Sequence, residues 1–170
     1  MQSDKVIFVA LDTVFRETDG KLDTLWNADP KLRTALNAFR RMGWRLVAIF
    51  CPAMHGLLTI NSEEDEEIRW YFERRLAQCR YPMIQKYLVI QNVGDKEEIQ
   101  RFMHENAISN AILVANNREY DILIDGANLG GRWTTDDLCR EADAHSLRLR
   151  LKSHLDRALK SAVCMMHASI

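Results

Sequence analysis

Four short apolar runs rich in β-branched residues recur along the chain, separated by segments with helical spacing. The runs are residues 5–11 (KVIFVAL), 45–50 (RLVAIF), 87–91 (YLVIQ) and 110–115 (NAILVA). Continuous apolar runs of this length are typical of strands that are covered on both faces. Their alternation with helical segments indicates βαβ units. The sequence therefore predicts an α/β fold, a three-layer α/β/α sandwich around a mostly parallel central sheet. Residues 121–124 (DILI) could add a fifth strand.

Capping and turn residues mark where the helices between these strands begin and end. Asp29 followed by Pro30 suits a helix start, because Asp caps free N–H groups and Pro fits the first helical position. Gly43 suits the end of that helix. Further helices are expected from Ser62 and after a capping Asp95. Residues 51–62 are too few to hold a large cap domain, so we expect an open pocket.

Composition excludes several classes of protein. The 170 residues carry a net charge of -1, so no overall field attracts nucleic acid or an anionic membrane. The apolar runs are too short to span a bilayer. The N-terminus resembles a first strand rather than a signal peptide. The cysteines form no C-x-x-C pair, which favours reduced thiols and a cytoplasmic protein; they are Cys51, Cys79, Cys139 and Cys164.

The chain is expected to have two parts within one domain. Residues 1–133 would form the α/β core, and residues 134–170 would form a helical extension packed on it. Within that extension, residues 147–160 place leucines among Arg and Lys. A basic helix face can contact phosphates, but a solvated face is the favoured interpretation because aromatic residues are not interleaved. The extension is the first place where a partner surface would be sought.

Polar side chains follow the strands at the edge where a pocket is expected. Active sites of parallel sheets lie at the carboxyl ends of their strands. The residues there, or opening the helix before the fourth strand, are Asp12, Thr13, Cys51, Lys96, Asn116, Asn117 and Asp121.

The order of these residues resembles that of the haloacid-dehalogenase-like (HAD-like) phosphatases. Members of that family begin with a buried strand that ends in D-x-D-G-T, where this chain has ALDTVF. The segment LRTALNAFRRMGWRLVAIF is similar to the family's helix, glycine and second strand, and a lysine and an acidic cluster follow. The similarity covers roughly residues 5–133. It implies a Rossmann-like fold and Mg²⁺-dependent chemistry, in which the first Asp attacks phosphorus and the second Asp transfers protons.

Several functional positions of the family are altered in this chain. The first Asp falls on Ala10, the Thr or Ser position falls on Phe50, and the first carboxylate of the last motif falls on Asn116. Asp12, Lys96 and, at the second acidic position of the last motif, Asp121 remain. A methyl group cannot attack phosphorus, so this alignment excludes ordinary aspartyl-phosphate catalysis.

The resemblance implies three overlapping sets of site residues. The residual catalytic residues are Asp12 and Lys96. The ligand-binding residues are Asp12, Thr13, Cys51, Lys96, Asn116 and Asn117. The third set would bind Mg²⁺ and consists of Asp12 and Asp121. Asp125 joins it if the last motif is Leu123-Ile124-Asp125-Gly126 at a strand end.

Three functions stay open from the sequence. The favoured one is an inactive pseudo-phosphatase that binds a protein or a small phosphate-containing ligand. The second is a working Mg²⁺-dependent phosphatase with a misaligned site, using Asp12, Lys96, Asp121 and Asp125. The third is a metal-dependent ribonuclease, because LDTVF resembles the opening of PIN-type ribonucleases and LIDGANL resembles the metal-binding strand of NYN nucleases.

Overall fold

The computed structural model describes residues 4–14, 29–52, 62–82, 84, 86–91, 94–127 and 129–167. In chain order the strands and helices are β1 (Lys5–Ala10), α1 (Leu11–Val14), α2 (Pro30–Arg41), β2 (Arg45–Phe50), α3 (Ser62–Gln78), β3 (Lys86–Val89), α4 (Glu97–Glu105), β4 (Asn110–Val114), a 3-10 turn (Arg118–Tyr120), α5 (Asp121–Ala127), β5 (Arg132–Trp133) and α6 (Thr135–His167).

The strands form one five-stranded sheet in the order β3-β2-β1-β4-β5. All four neighbouring pairs within it are parallel. The central strand β1 pairs Ala10 with Ile49 of β2 and Val9 with Val114 of β4. The predicted α/β fold with a mostly parallel sheet is confirmed.

Helices cover both faces of this sheet, which gives the three layers expected from the sequence. Side chains of β1 alternate between the two faces, because successive residues of a strand point in opposite directions. On one face Ile7 and Val9 pack with apolar residues of α2, α3 and α6. On the other face Val6, Phe8 and Ala10 pack with residues of α4, the 3-10 turn and α5.

The start of α2 follows the capping rule that predicted it. The carboxylate oxygen Oδ1 of Asp29 accepts a hydrogen bond from the backbone N–H of Lys31 at 2.8 Å, and Pro30 is the first helical residue. The helix ends before Gly43, whose φ of +87° lies in the left-handed region that favours glycine. This helix packs Leu32 and Phe39 against β1 and β2.

Two local predictions were wrong. Residues 121–124 belong to helix α5 and not to a fifth strand, which instead lies at Arg132–Trp133. Leu123 and Ala127 are buried while Ile122 is exposed, and this spacing is helical rather than alternating. Helix α4 begins one residue later than Asp95 would place it, with Lys96 in the cap position and no side-chain cap.

The C-terminal helix α6 starts on the core and then leaves it. Leu138 and Ala142 are buried beside α2, whereas residues 146–157 are all exposed. The boundary at residue 133 stays a prediction. The connection from β2 to α3 spans residues 51–61, of which 53–61 lie outside the described residues. Among the helices that the structure describes, none is long and apolar enough to cross a membrane.

Candidate functional site

The strand order places a crevice between β1 and β4. From β1 the chain moves outward through α2 to β2, and it returns from β3 through α4 to β4 on the other side of β1. In open parallel sheets, ligands bind at such a switch point, outside the carboxyl ends of the strands. The residues that line this edge are those after Ala10 and after Val114.

Ala10 is the last residue of β1 and is 0% exposed. It packs with Ile49, Leu88 and Leu113 on the face covered by α4 and α5. Its methyl group can neither donate nor accept a hydrogen bond, and it cannot act as a nucleophile. In the family that this chain resembles, this position carries the nucleophile. Here it is part of the apolar core.

Asp12 lies in α1, directly beyond β1, and is half-buried. It shares a hydrogen bond with the hydroxyl group of Tyr120, a side chain that is 1% exposed. Burial is the first cause that raises the pKa of Tyr120, and the charges of Asp12 and Cys51 add to it. Because the phenol stays protonated, it donates to the Asp12 carboxylate. Cys51, buried at the end of β2, faces the same side of the sheet.

A chain of hydrogen bonds joins the ends of β1, β4 and β5. The hydroxyl oxygen of Thr13 accepts from the backbone N–H of Asn116 at 3.0 Å. The side-chain oxygen of Asn116 accepts from the backbone N–H of Thr135, also at 3.0 Å. Thr13 and Thr135 are both buried. Asn116 thus accepts a hydrogen bond from the first residue of α6, and these contacts join the two sides of the crevice.

The neighbouring Asn117 has a local role. Its side-chain oxygen accepts from the backbone N–H of Glu119 at 3.0 Å and caps the 3-10 turn that carries Tyr120. This cap helps to hold the tyrosine hydroxyl group beside Asp12.

Asp121 is paired with a cation from its own chain. Nε of Arg132 lies 2.5 Å from Oδ1 of Asp121, and the Arg132 side chain is 16% exposed. Another nitrogen of the same guanidinium, Nη1, donates to the carbonyl oxygen of Ala115 at 3.0 Å. The guanidinium group of Arg132 therefore neutralises the carboxylate of Asp121. In the family that this chain resembles, the acid at this position binds the metal.

The remaining predicted site residues are dispersed. Phe50 is buried against Phe72, with ring centroids 5.1 Å apart. Lys96 is exposed at the start of α4. Asp125 belongs to α5 rather than to a strand end, and its side chain lies outside the described part of the chain.

The residues present do not fit a magnesium ion held as the family holds it. Mg²⁺ requires near-octahedral oxygen ligands, and carboxylates supply its charge. Here an amide and a methyl group stand at two of the family's four acidic positions, and Asp121 is paired with Arg132. Within the described residues, no group of three or more His, Cys, Asp or Glu side chains could hold a metal ion.

Sequence reasoning missed three residues of this site, namely Tyr120, Arg132 and Thr135. Each acts through a contact that is distant along the chain or depends on the orientation of a turn. The sequence offers no signal for the pairing of Arg132, because its partner Asp121 was expected to lie in a strand itself.

Comparisons with known proteins give little beyond the fold. No protein-family model matches the chain, and no curated protein matches it. The chain is similar to a solved structure of D,D-heptose 1,7-bisphosphate phosphatase from Burkholderia thailandensis, with a TM-score of 0.43 and 14% sequence identity. The match covers 83% of this chain and 97% of that one. This likeness is weak. The chain itself is an α/β domain with a parallel five-stranded sheet of order β3-β2-β1-β4-β5.

Proposed function

We propose that this chain is a phosphatase-like domain that has lost aspartyl-phosphate catalysis and acts by binding a protein partner. The observation that carries the proposal is the fully buried methyl group of Ala10 at the end of the central strand. Covalent phosphoryl transfer needs a nucleophilic atom that touches phosphorus. No rotation of this side chain supplies one.

The contacts of the remaining acids support the same proposal. Asp12 accepts a hydrogen bond from Tyr120 and Asp121 is bound by Arg132. These contacts engage part of each carboxylate, which has about four lone-pair sites, and they tie both acids to the edge of the sheet. Their predicted roles as catalytic and metal-binding residues become structural roles in this proposal.

The bridged crevice favours a protein partner over a small phosphate-containing ligand. The bonds from Asn116 to Thr13 and from Thr135 to Asn116 engage two backbone N–H groups at this edge, which are donors that a phosphate group would otherwise use. Among the predicted site residues Lys96 is the cation, and its side chain is exposed. A protein surface can contact such an edge without entering it, whereas a phosphate group needs several donors that converge on it.

The ribonuclease alternative loses one of its two motifs. LIDGANL was compared with a metal-binding strand, but residues 121–127 form helix α5. The phosphatase alternative requires Asp12, Lys96, Asp121 and Asp125 to act on one metal. The Arg132 pairing of Asp121 argues against it.

The test is an NMR titration of the backbone amides, first with MgCl₂ and then with inorganic phosphate. For the natural protein we expect no saturable shift at Asp12, Asn116 or Asp121 up to about 10 mM, a range that detects binding free energies as small as about 3 kcal/mol. The Arg132→Ala variant frees the Asp121 carboxylate, so Mg²⁺ should shift the amide of residue 121 in that variant.

The Arg118→Ala variant is the matched control, since Arg118 is exposed and lies near the same turn. It should behave as the natural protein does. Saturable Mg²⁺ binding by the natural protein at Asp12 and Asp121 would show that the two acids still form a metal site, and the proposal would be wrong.

A further inference from the structure

The second half of α6 carries a run of cations on a part of the helix that leaves the core. Residues 146–157 are exposed throughout and follow Leu138 and Ala142, the buried α6 residues of the core. This segment is here called the basic tail. Its cations are Arg148, Arg150, Lys152 and Arg157, and its acid is Asp156. Because none of its residues is buried, the basic tail can unwind locally at a cost limited to its own helical hydrogen bonds.

Ser153 lies in the middle of the basic tail, and its side chain is exposed. Its hydroxyl oxygen Oγ donates to the carbonyl oxygen of Arg150 at 2.8 Å, about one helical turn earlier. A serine within a helix commonly makes such a bond to its own backbone. The bond joins the hydroxyl group to its own helix and to no other described part of the protein, so the hydroxyl group is accessible to an enzyme.

The residues before Ser153 alternate between leucine and a cation. Residues 147–152 are LRLRLK, a period of two residues, whereas the period of a helix is 3.6. In α6 the side chains of Arg148 and Arg150 point about 200° apart around the helix axis. In an extended segment the same two side chains and that of Lys152 point to one side. The alternation therefore gathers the cations only in the extended form, in which a groove reads alternate side chains of a bound segment.

We propose that Ser153 is a phosphorylation site for a protein kinase that reads arginines at the third and fifth positions before the acceptor. Arg150 and Arg148 occupy these positions, and acidic side chains in the kinase groove would pair with them. Oγ of Ser153 forms a bond to the γ-phosphorus of ATP, the bond from that phosphorus to the oxygen shared with the β-phosphorus breaks, and ADP leaves. The hydroxyl proton passes to the catalytic aspartate of the kinase.

Ser146 provides a comparison within the same helix. It is also exposed, but the third and fifth positions before it hold Asp143 and Glu141. Two carboxylates at these positions repel the acidic groups that bind arginine. The same kinase is therefore expected to modify Ser153 and to leave Ser146 unmodified.

A phosphate group on Ser153 would change the charge of the basic tail. It adds a charge of about -1.5 to -2 at neutral pH, against four cations and one aspartate. Arg150 lies three residues before Ser153 and Arg157 lies four residues after it, and side chains at these spacings meet on a helix. Together they outnumber Asp156, the acid three residues after Ser153. Phosphorylation would thus act as a charge switch on this surface.

Incubation of the full chain with MgATP and a purified kinase of this specificity tests the proposal, with the modified residues located by mass spectrometry. We expect one phosphate per chain, on Ser153, and none in the Ser153→Ala variant. Arg150→Ala should lower kcat/KM for phosphorylation by about tenfold or more, because a charge-assisted contact with the kinase is lost.

Arg157→Ala is the matched control, since Arg157 is an exposed cation of the same tail but follows the acceptor. Its effect on kcat/KM should be less than about twofold. Absence of phosphate on Ser153 in the natural protein, or transfer mainly to Ser146, would overturn the proposal. An equal effect of Arg150→Ala and Arg157→Ala would also contradict it, because the kinase would then respond to overall charge and not to position. This inference does not depend on the loss of catalysis.

Discussion

Replacing Ala10 with Asp, the residue that the proposed alignment expects there, should destabilise the protein and confer no phosphatase activity. Ala10 is fully buried among Ile49, Leu88 and Leu113. A carboxylate at this position has no metal or cationic partner in the described structure to offset its desolvation. An unpaired buried charge costs about 3–5 kcal/mol. We therefore expect the free energy of unfolding to fall by about 3 kcal/mol or more in urea denaturation at neutral pH.

The pH dependence of this loss of stability distinguishes the cost of burying a charge from the cost of steric crowding. Burial raises the folded-state pKa of a carboxyl group above its unfolded value of about 4. The deficit of the Ala10→Asp variant should then be smallest below that value and should grow as pH rises toward the folded-state pKa. Ala77→Asp is the control, because Ala77 is exposed on α3; its change should stay within about 1 kcal/mol. A deficit that is independent of pH would show that crowding, not charge, is responsible.

Tyr120 should be the second most sensitive position of the site. It is among the largest side chains that are fully buried, and it combines an apolar ring with the hydroxyl group that serves Asp12. Tyr120→Ala should cost about 3–5 kcal/mol through the cavity that it leaves. Tyr120→Phe keeps the ring and should cost about 1–2 kcal/mol, because Asp12 loses a donor. Equal stability of the Phe variant and the natural protein would contradict the role of the hydroxyl group.

Alkaline titration gives an independent check on Tyr120. Burial raises the pKa of Tyr81, Tyr87 and Tyr120 above the ordinary value of about 10. Groups with a raised folded-state pKa contribute stability that is fully present below the unfolded pKa and is lost as pH increases above it. The natural protein should therefore lose stability above about pH 10. Tyr120→Phe should lose less over the same range, since one of the three phenols is gone.

The sequence predicted the strands and helices of this molecule better than the contacts of its candidate site. Continuous apolar runs identify buried strands regardless of their partners, and the Asp29-Pro30 cap is a local signal, so β1, β2 and α2 were predicted closely. Residues 121–124 failed because a run of four residues is too short for its spacing to separate a strand from a helix. The burial of Leu123 beside an exposed Ile122 became visible only in the fold.

The sequence placed polar residues at one edge of the sheet but did not predict their contacts. Thr13 and Asn116 were expected at one edge, and they are hydrogen-bonded there although 103 residues separate them. The same edge brings Tyr120 to Asp12 and Arg132 to Asp121. These pairings depend on how α1, the 3-10 turn and β5 meet in three dimensions. Propensity and spacing do not encode such pairings, so residue types alone left the acids available for a metal.

The most direct test of the central claim is the Mg²⁺-dependent hydrolysis of an aryl phosphate by the natural protein, measured beside an Asp12→Asn variant. The variant keeps the shape of Asp12 and an acceptor for Tyr120 but removes the only carboxylate of the opening motif. The proposed function predicts that neither protein hydrolyses the ester above the rate without protein. Hydrolysis that requires Mg²⁺, occurs in the natural protein and disappears in Asp12→Asn would show that this chain is a working phosphatase.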